Sequence, residues 1–230
     1  MRKFVAVDLP VLARRSAFAL VFAVVTGWLV PGALANGEAP FAALDVKSNG
    51  AQVIDITTGI TTLPDGGSVI DKQTGVSFTA GHIAYLDGAF IEATGVQLEG
   101  AFGKLAAEVV RIDITSSTLL ATGSLVLTRE GLEVVATELR YYAVHEIAVF
   151  EGGVTGNEPN FNADRVLLDV RTGDVLLDGK YSFAGDLFTM KSPAEGGLLE
   201  LRLVDTGDLV TYSAASEVSQ TLLERFRAYL

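Results

Sequence analysis

The sequence predicts an all-β protein, an antiparallel β-roll built from repeats and followed by a short C-terminal helix. Three observations predict it. Apolar and polar residues alternate with a period of two along most of the chain, the mark of strands with one buried face. One unit recurs at least four times, with its closing glycines 28, 29 and 27 residues apart. A 3.6-residue period of useful length is absent between Asn36 and Tyr212 and emerges only after them.

The first 35 residues stand outside the repeat. Arg2, Lys3, Arg14 and Arg15 precede an uncharged apolar run from Ser16 to Val30. Pro31-Gly32 and Ala33-Leu34-Ala35 follow. A basic segment, an apolar segment of about 15 residues and an A-x-A site make a secretory signal. The run is short for a membrane span of roughly 20 residues. Cleavage after Ala35 is expected; retention as an anchor is the alternative, and Arg14-Arg15 matches a twin-arginine signal poorly. Removing residues 1–35 takes Lys plus Arg from 17 to 13 and Asp plus Glu from 28 to 27, leaving a net charge of −14. Such a surface argues against nucleic acid and against attachment to anionic lipid headgroups. The chain has no cysteine, so packing and backbone pairing must hold an exported fold without disulfides.

Residues 36–212 carry the repeat. Each unit starts at an Ala, runs through an alternating stretch and a polar turn, and returns to a Gly. The copies are Ala80 to Gly95, Ala107 to Gly123, Ala136 to Gly152 and Ala163 to Gly179, with a fainter copy at Val53 to Gly75. The Ala-to-Gly offset is 15 in the first and 16 in the other three. Equivalent positions are apolar in every copy. The third after each Ala is Ile83, Val110, Leu139 or Val166; the fifth is Tyr85, Ile112, Tyr141 or Leu168. On the return, Ala93, Ala121, Phe150 and Leu177 stand two before the Gly, and Ile91, Leu119, Ala148 and Val175 four before it. Stacking such units makes one continuous apolar face. Asp87-Gly88, Thr115-Ser116-Ser117 and Arg171-Thr172-Gly173-Asp174 supply the turns. Pro64 and Pro159 fall in Gly/Asn-rich loops, where a missing N–H costs no ladder bond.

Residues 213–230 change to helix formers. Val218, Leu222, Phe226 and Tyr229 or Leu230 share one helical face. Ser216 and Glu217 are placed to start that helix. Its expected role is to cap an open end of the repeat stack.

Little in the sequence carries catalytic chemistry. His82 and His145 lie in different units and are expected on the surface. Glu108, Asp113, Glu138, Asp164, Asp169 and Asp178 recur at outward phases of many units, which suits a solvated face better than one focused pair of catalytic acids. Changing Asp113, Glu138 or Asp169 singly is therefore expected to leave function intact. No G-x-S-x-G elbow, phosphate-binding glycine loop or EF-hand spacing is present, and Gly156-Asn157-Glu158 has no calcium-loop pattern around it. Metal and cofactor sites are accordingly expected to be none. The aromatics Tyr85, Phe90, Tyr141 and Phe150 recur at or beside the apolar phase, as core or as the lining of a groove.

The segments Asp55-Ile56-Thr57-Thr58-Gly59, Gly75-Val76-Ser77-Phe78-Thr79-Ala80 and Ala136-Thr137-Glu138-Leu139-Arg140-Tyr141-Tyr142 resemble the OstA-like family. These are the periplasmic lipopolysaccharide-transport proteins and the N-terminal domain of the outer-membrane assembly protein. The resemblance covers about residues 45–190. It implies a V-shaped, jellyroll-like roll of antiparallel strands whose apolar interior holds lipid acyl chains, without enzymatic activity. It also implies stacking end to end with other β-roll proteins into a bridge across the periplasm. Residues expected to line the lipid are Ile83, Tyr85, Ile91, Ile112, Leu119, Tyr141, Phe150, Leu168 and Leu177. The Leu198–Tyr212 segment and the C-terminal helix have no clear counterpart in that pattern. The alternative reading is a β-solenoid scaffold or adhesin of the envelope with a filled interior.

Overall fold

The computed structural model describes residues 40–72, 75–129, 132–157, 159–185, 188–205, 210–215 and 217–230. The expected signal segment 1–35 and Ser216 lie outside them. In chain order the strands are β1 (Leu44–Ser48), β2 (Val53–Ile54), β3 (Thr61–Leu63), β4 (Gly67–Asp71), β5 (Ser77–Ala80), β6 (His82–Leu86), β7 (Phe90–Gly100) and β8 (Gly103–Asp113). Then come β9 (Thr118–Arg129), β10 (Leu132–Tyr142), β11 (Ile147–Gly156), β12 (Asn160–Asp169), β13 (Val175–Ala184), β14 (Thr189–Lys191), β15 (Gly197–Asp205) and β16 (Val210–Ala214), and one helix, α1 (Gln220–Phe226). All the strands belong to one antiparallel sheet, and from β7 to β13 each pairs with the next in sequence. The fold is thus all-β, as the period-two pattern predicts.

The repeat sets the register. Ile83 pairs with Ala93, Val110 with Ala121, Leu139 with Phe150 and Val166 with Leu177. The third position of each outgoing strand therefore faces the residue two before the closing Gly. The 15-residue offset of the first unit is a matter of turn length. Its strands join at Leu86↔Phe90, whereas the next two units join at Asp113↔Thr118 and Tyr142↔Ile147, one residue longer. The longer turns place Ser117 and Glu146 in the left-handed region (φ 53° and 52°), and Gly173 takes the same place in the last unit (φ 82°).

The closing glycines form a crease. At Gly123-Ser124, Gly152-Gly153 and Gly179-Lys180 the returning strand carries one residue more than the strand opposite. These are β-bulges opened by a glycine with positive φ, of 102°, 85° and 86°. The residue opposite is the one after each unit's Ala: Glu108, Thr137 or Asp164. Glu108 accepts a hydrogen bond from the Ser124 amide (3.2 Å) and Asp164 from the Lys180 amide (2.7 Å). Their carboxylates satisfy amides that the ladder leaves unpaired. In the first unit the same line is a break between β5 and β6 at Gly81. Pro64-Asp65-Gly66 breaks β3 from β4 at the fainter copy. The bulges lie at one level in β9, β11 and β13, and the sheet folds along that line into two arms.

Both arms bury their apolar phase in one cluster. On β9, Leu119 and Ala121 lie before the crease and Leu125 and Leu127 after it. On β8, Leu105 and Ala107 precede it and Val110 and Ile112 follow. Within the Leu198–Tyr212 stretch, residues 198–205 continue the sheet in β15, paired to β13, and residues 210–212 begin β16, paired to β15.

The helix is shorter than expected. Val210 to Ala214 pair with β15, because Val210-Thr211-Tyr212 is β-branched and aromatic and suits a strand. The helix starts at Gln220 with Ser219 as its cap, the Ser219 hydroxyl accepting from the Leu222 amide (3.3 Å). Its expected apolar face is present: Val218, Leu222, Phe226 and Tyr229 pack with Ile147, Val149, Leu167 and Leu176. These belong to β11, β12 and β13, mid-sheet strands. The helix therefore covers the outer face of one arm rather than capping an end of the stack.

Candidate functional site

The interior between the arms is the feature that a ligand would use, and its lining follows from the register. Eight of the nine residues expected to line it are buried in the single large cluster: Ile83, Ile91, Ile112, Leu119, Tyr141, Phe150, Leu168 and Leu177. Their exposures run from 0% to 7%. Tyr85, the ninth, is half-buried and packs against that cluster. The recurrence of the unit thus brings all nine together.

Among the described residues, three contacts cross between the free ends of the arms and close the mouth. Pro40 and Phe41 form the first. The Ser117 hydroxyl, in a turn of one arm, donates to the Pro40 carbonyl (3.3 Å), and the Phe41 amide donates to Asp71 Oδ2 (3.2 Å) at the end of the other arm. Phe41 itself is fully buried. The second is Phe102, in the β7–β8 turn, whose ring meets that of Tyr141 at 5.3 Å between centroids. The third is Arg129, at the end of β9, whose Nη2 donates to the Val170 carbonyl (2.9 Å) in the opposite turn. Sequence reasoning missed Phe41, Phe102 and Arg129. None recurs from unit to unit, so periodicity carries no signal of them.

Two phenols stand in the same interior. Burial pushes the Tyr141 hydroxyl up to about 12, helped by the Glu146 charge and opposed by Arg129. Burial pushes Tyr212 up to about 12 too, opposed by Arg129 and helped by Asp174. Both stay protonated at neutral pH. A pKa raised in the folded state above the unfolded value near 10 gives stability that is fully present below about pH 10. That stability is lost as pH rises towards about 12. A tyrosinate absorbance titration should therefore show Tyr141 and Tyr212 ionising at the high-pH end, with unfolding setting in within that window. Tyr141→Phe should remove one of the two.

The acids do not converge. Glu108 and Asp164 cap bulges. Asp113 accepts from the Ser116 amide (2.8 Å), and this turn hydrogen bond holds its carboxyl below the usual range. Glu138 pairs with Arg140 (2.7 Å), and Asp178 with Arg165. Asp169 departs from the expected solvated face. It is 2% exposed, accepts from the Arg171 amide (3.0 Å) and pairs with Arg225 of α1 (2.8 Å). Arg225 also donates to the His145 carbonyl. Asp169 is a buried anchor for the helix, and removing its charge would leave Arg225 without its partner. His145 is tied to the same helix through Tyr229 Oη. His82 is half-buried opposite Thr94. Phe90 carries the Arg111 guanidinium on its ring, 4.5 Å from the centroid. No group of three His, Cys, Asp or Glu placed to hold a metal ion occurs among the described residues.

No family model matches the chain, and no curated protein matches it. Thirteen solved chains do. One is LptH, described as the LptA homologous periplasmic component of the conserved lipopolysaccharide transport device from Pseudomonas aeruginosa. It is 13% identical, with 44% of this chain and 76% of that chain covered and a TM-score of 0.38.

Proposed function

We propose that this protein is a non-enzymatic carrier that holds the acyl chains of a lipid, of lipopolysaccharide type or similar, between the two arms of its folded sheet. One observation carries the reading. The apolar interior runs unbroken through the repeat stack, yet among the described residues its mouth is held by three discrete contacts rather than by a continuous ladder or a covalent tie. Parting the arms at the mouth exposes a long apolar surface at the cost of few polar bonds. An acyl chain would then recover about 0.8 kcal/mol per buried CH₂. The proposed setting is the periplasm or envelope, reached through residues 1–35 as a signal. Residues 36–212 would be the β-roll domain and 213–230 its C-terminal appendage.

Further β-roll proteins are the proposed partners, added end to end. β1 and β2 leave an unpaired edge at one end of the stack, and β14 and β16 at the other. Val53 and Ile54 on β2 are 58% and 61% exposed. An open edge of this kind is a template for another strand.

The near-complete burial of the lining residues favours a second reading, an envelope scaffold with a filled interior. Apolar fluorophore uptake separates the two. A carrier should take up the dye while its far-ultraviolet circular dichroism stays unchanged, and a long-chain lipid should displace it. A scaffold should gain fluorescence only as it unfolds.

A further inference from the structure

Arg129 and Tyr212 are the two described residues with a buried side-chain polar atom that lacks a hydrogen-bond partner: Arg129 Nη1 and the Tyr212 hydroxyl. Unpaired buried polar groups are rare because each carries a desolvation cost. Tyr212 is 6% exposed, and it belongs with Tyr141 to the apolar interior cluster. The Arg129 guanidinium reaches the Val170 carbonyl in the β12–β13 turn, and Leu203, whose side chain packs at Gly173 of that turn, is in register with Tyr212, so Arg129 and Tyr212 lie at one stretch of the mouth. Arg129 takes part in none of the ion pairs among the described residues. Glu146 and Asp174 influence the phenols from the turns without pairing with it.

We propose that Arg129 and Tyr212 form a binding site for the anionic group, a phosphate or a carboxylate, of an amphiphile whose alkyl chain lies in the interior. This deepens the carrier reading and rests on it. Guanidinium N–H groups and protonated phenols are donors, so they need an acceptor-rich partner. The planar fork of arginine suits a two-oxygen face of phosphate or carboxylate. Burial keeps the Tyr212 phenol protonated and able to donate. The site opens directly on apolar side chains, which favours a ligand with one charged end and one long apolar end. Entry requires the Arg129–Val170 contact to release, since Nη1 and the Tyr212 hydroxyl are shut off from solvent while it holds. The acidic surface repels free anions and leaves this internal cation as the attractive point for one.

Calorimetric titration of the exported full chain tests this with three probes: dodecyl phosphate, dodecanol and inorganic phosphate. Wild type is compared with Tyr212→Phe and Arg129→Gln. Tyr212→Phe removes a hydroxyl that has no partner, so its melting temperature should stay unchanged or rise. Its affinity for dodecyl phosphate should fall about tenfold, the loss of one hydrogen bond to a charged group. Arg129→Gln should lower it further, and dodecanol should bind all three proteins alike. Equal affinity for dodecyl phosphate in wild type and both variants overturns the site and leaves the carrier reading standing if dodecanol still binds. If inorganic phosphate binds and weakens in the variants while neither amphiphile adds affinity, the anion site stands and the carrier reading fails. No binding of any probe overturns both.

Discussion

Gly152→Ala should cost about 3 kcal/mol of stability, while Gly153→Ala beside it should cost only about 1. Both glycines have positive φ, of 85° and 74°, so both substitutions meet the backbone penalty of the left-handed region. The surroundings differ. A Cβ at Gly152 would stand 1.8 Å from Thr137 Oγ1, whereas a Cβ at Gly153 meets nothing within 4 Å. The Thr137 hydroxyl also donates to the Gly152 carbonyl (3.3 Å), so the crowded side chain is held in place. The first unit shows the permissive version of the same geometry. There the crease residue Gly81 lies near Gly95, and a Cβ at Gly95 comes no closer than 3.9 Å to any atom. Thr137→Gly combined with Gly152→Ala should therefore recover the steric part of the loss and leave the φ part. Urea unfolding of the two single variants and the double variant measures this. Equal costs at Gly152 and Gly153 would mean that the crease is not held by close packing across the bulge.

The same glycines show how much was legible in the sequence. Their spacing with the alanines disclosed the repeat and the buried phase, because alternation and burial share one period. The crease itself was not legible. A bulge is one extra residue on one strand, and an isolated sequence does not say which residue of its neighbour lies opposite. The buried Asp169 was misplaced for a different reason. Ile147-Ala148-Val149-Phe150, Val166-Leu167-Leu168 and Val175-Leu176-Leu177 are unbroken apolar runs, the pattern of strands covered on both faces. Read that way, they announce a cover over the outer face, which α1 supplies through Leu222 and Phe226. Asp169 lies at the end of one such run and is buried with it. Arg129, Phe102 and Phe41 gave no signal, because they meet residues 41, 39 and 30 positions away across the mouth. Such contacts depend on how the arms close, which a local pattern does not encode.

Leu119→Ser and Leu168→Ser should cost about 3–5 kcal/mol each if the interior is a permanently filled core. A large buried side chain is then lost, a cavity remains and a hydroxyl is left without a partner. Both leucines are fully buried, Leu119 in register with the lining residue Ile112 and Leu168 with the buried core residue Val175. The carrier reading predicts a further effect. Photocrosslinking side chains placed at Ile83, Ile112, Leu119 and Leu177 should capture lipid from the protein's own envelope, because these positions follow one another along the stack and acyl chains held in the interior would lie against them. A position on the outer face, such as Val126, which is 38% exposed, should capture none. Lipid bound to wild type should raise its melting temperature, and the rise should grow with the logarithm of ligand concentration above Kd. Leu119→Ser should blunt that rise by interrupting the apolar track, beyond its effect on the ligand-free protein. The discriminating quantity is the difference between loaded and unloaded melting, since the substitution destabilises the fold in both readings. A difference that is the same in wild type and Leu119→Ser, with no crosslink at any interior position, would assign the buried stripe to structure alone and make the protein a scaffold.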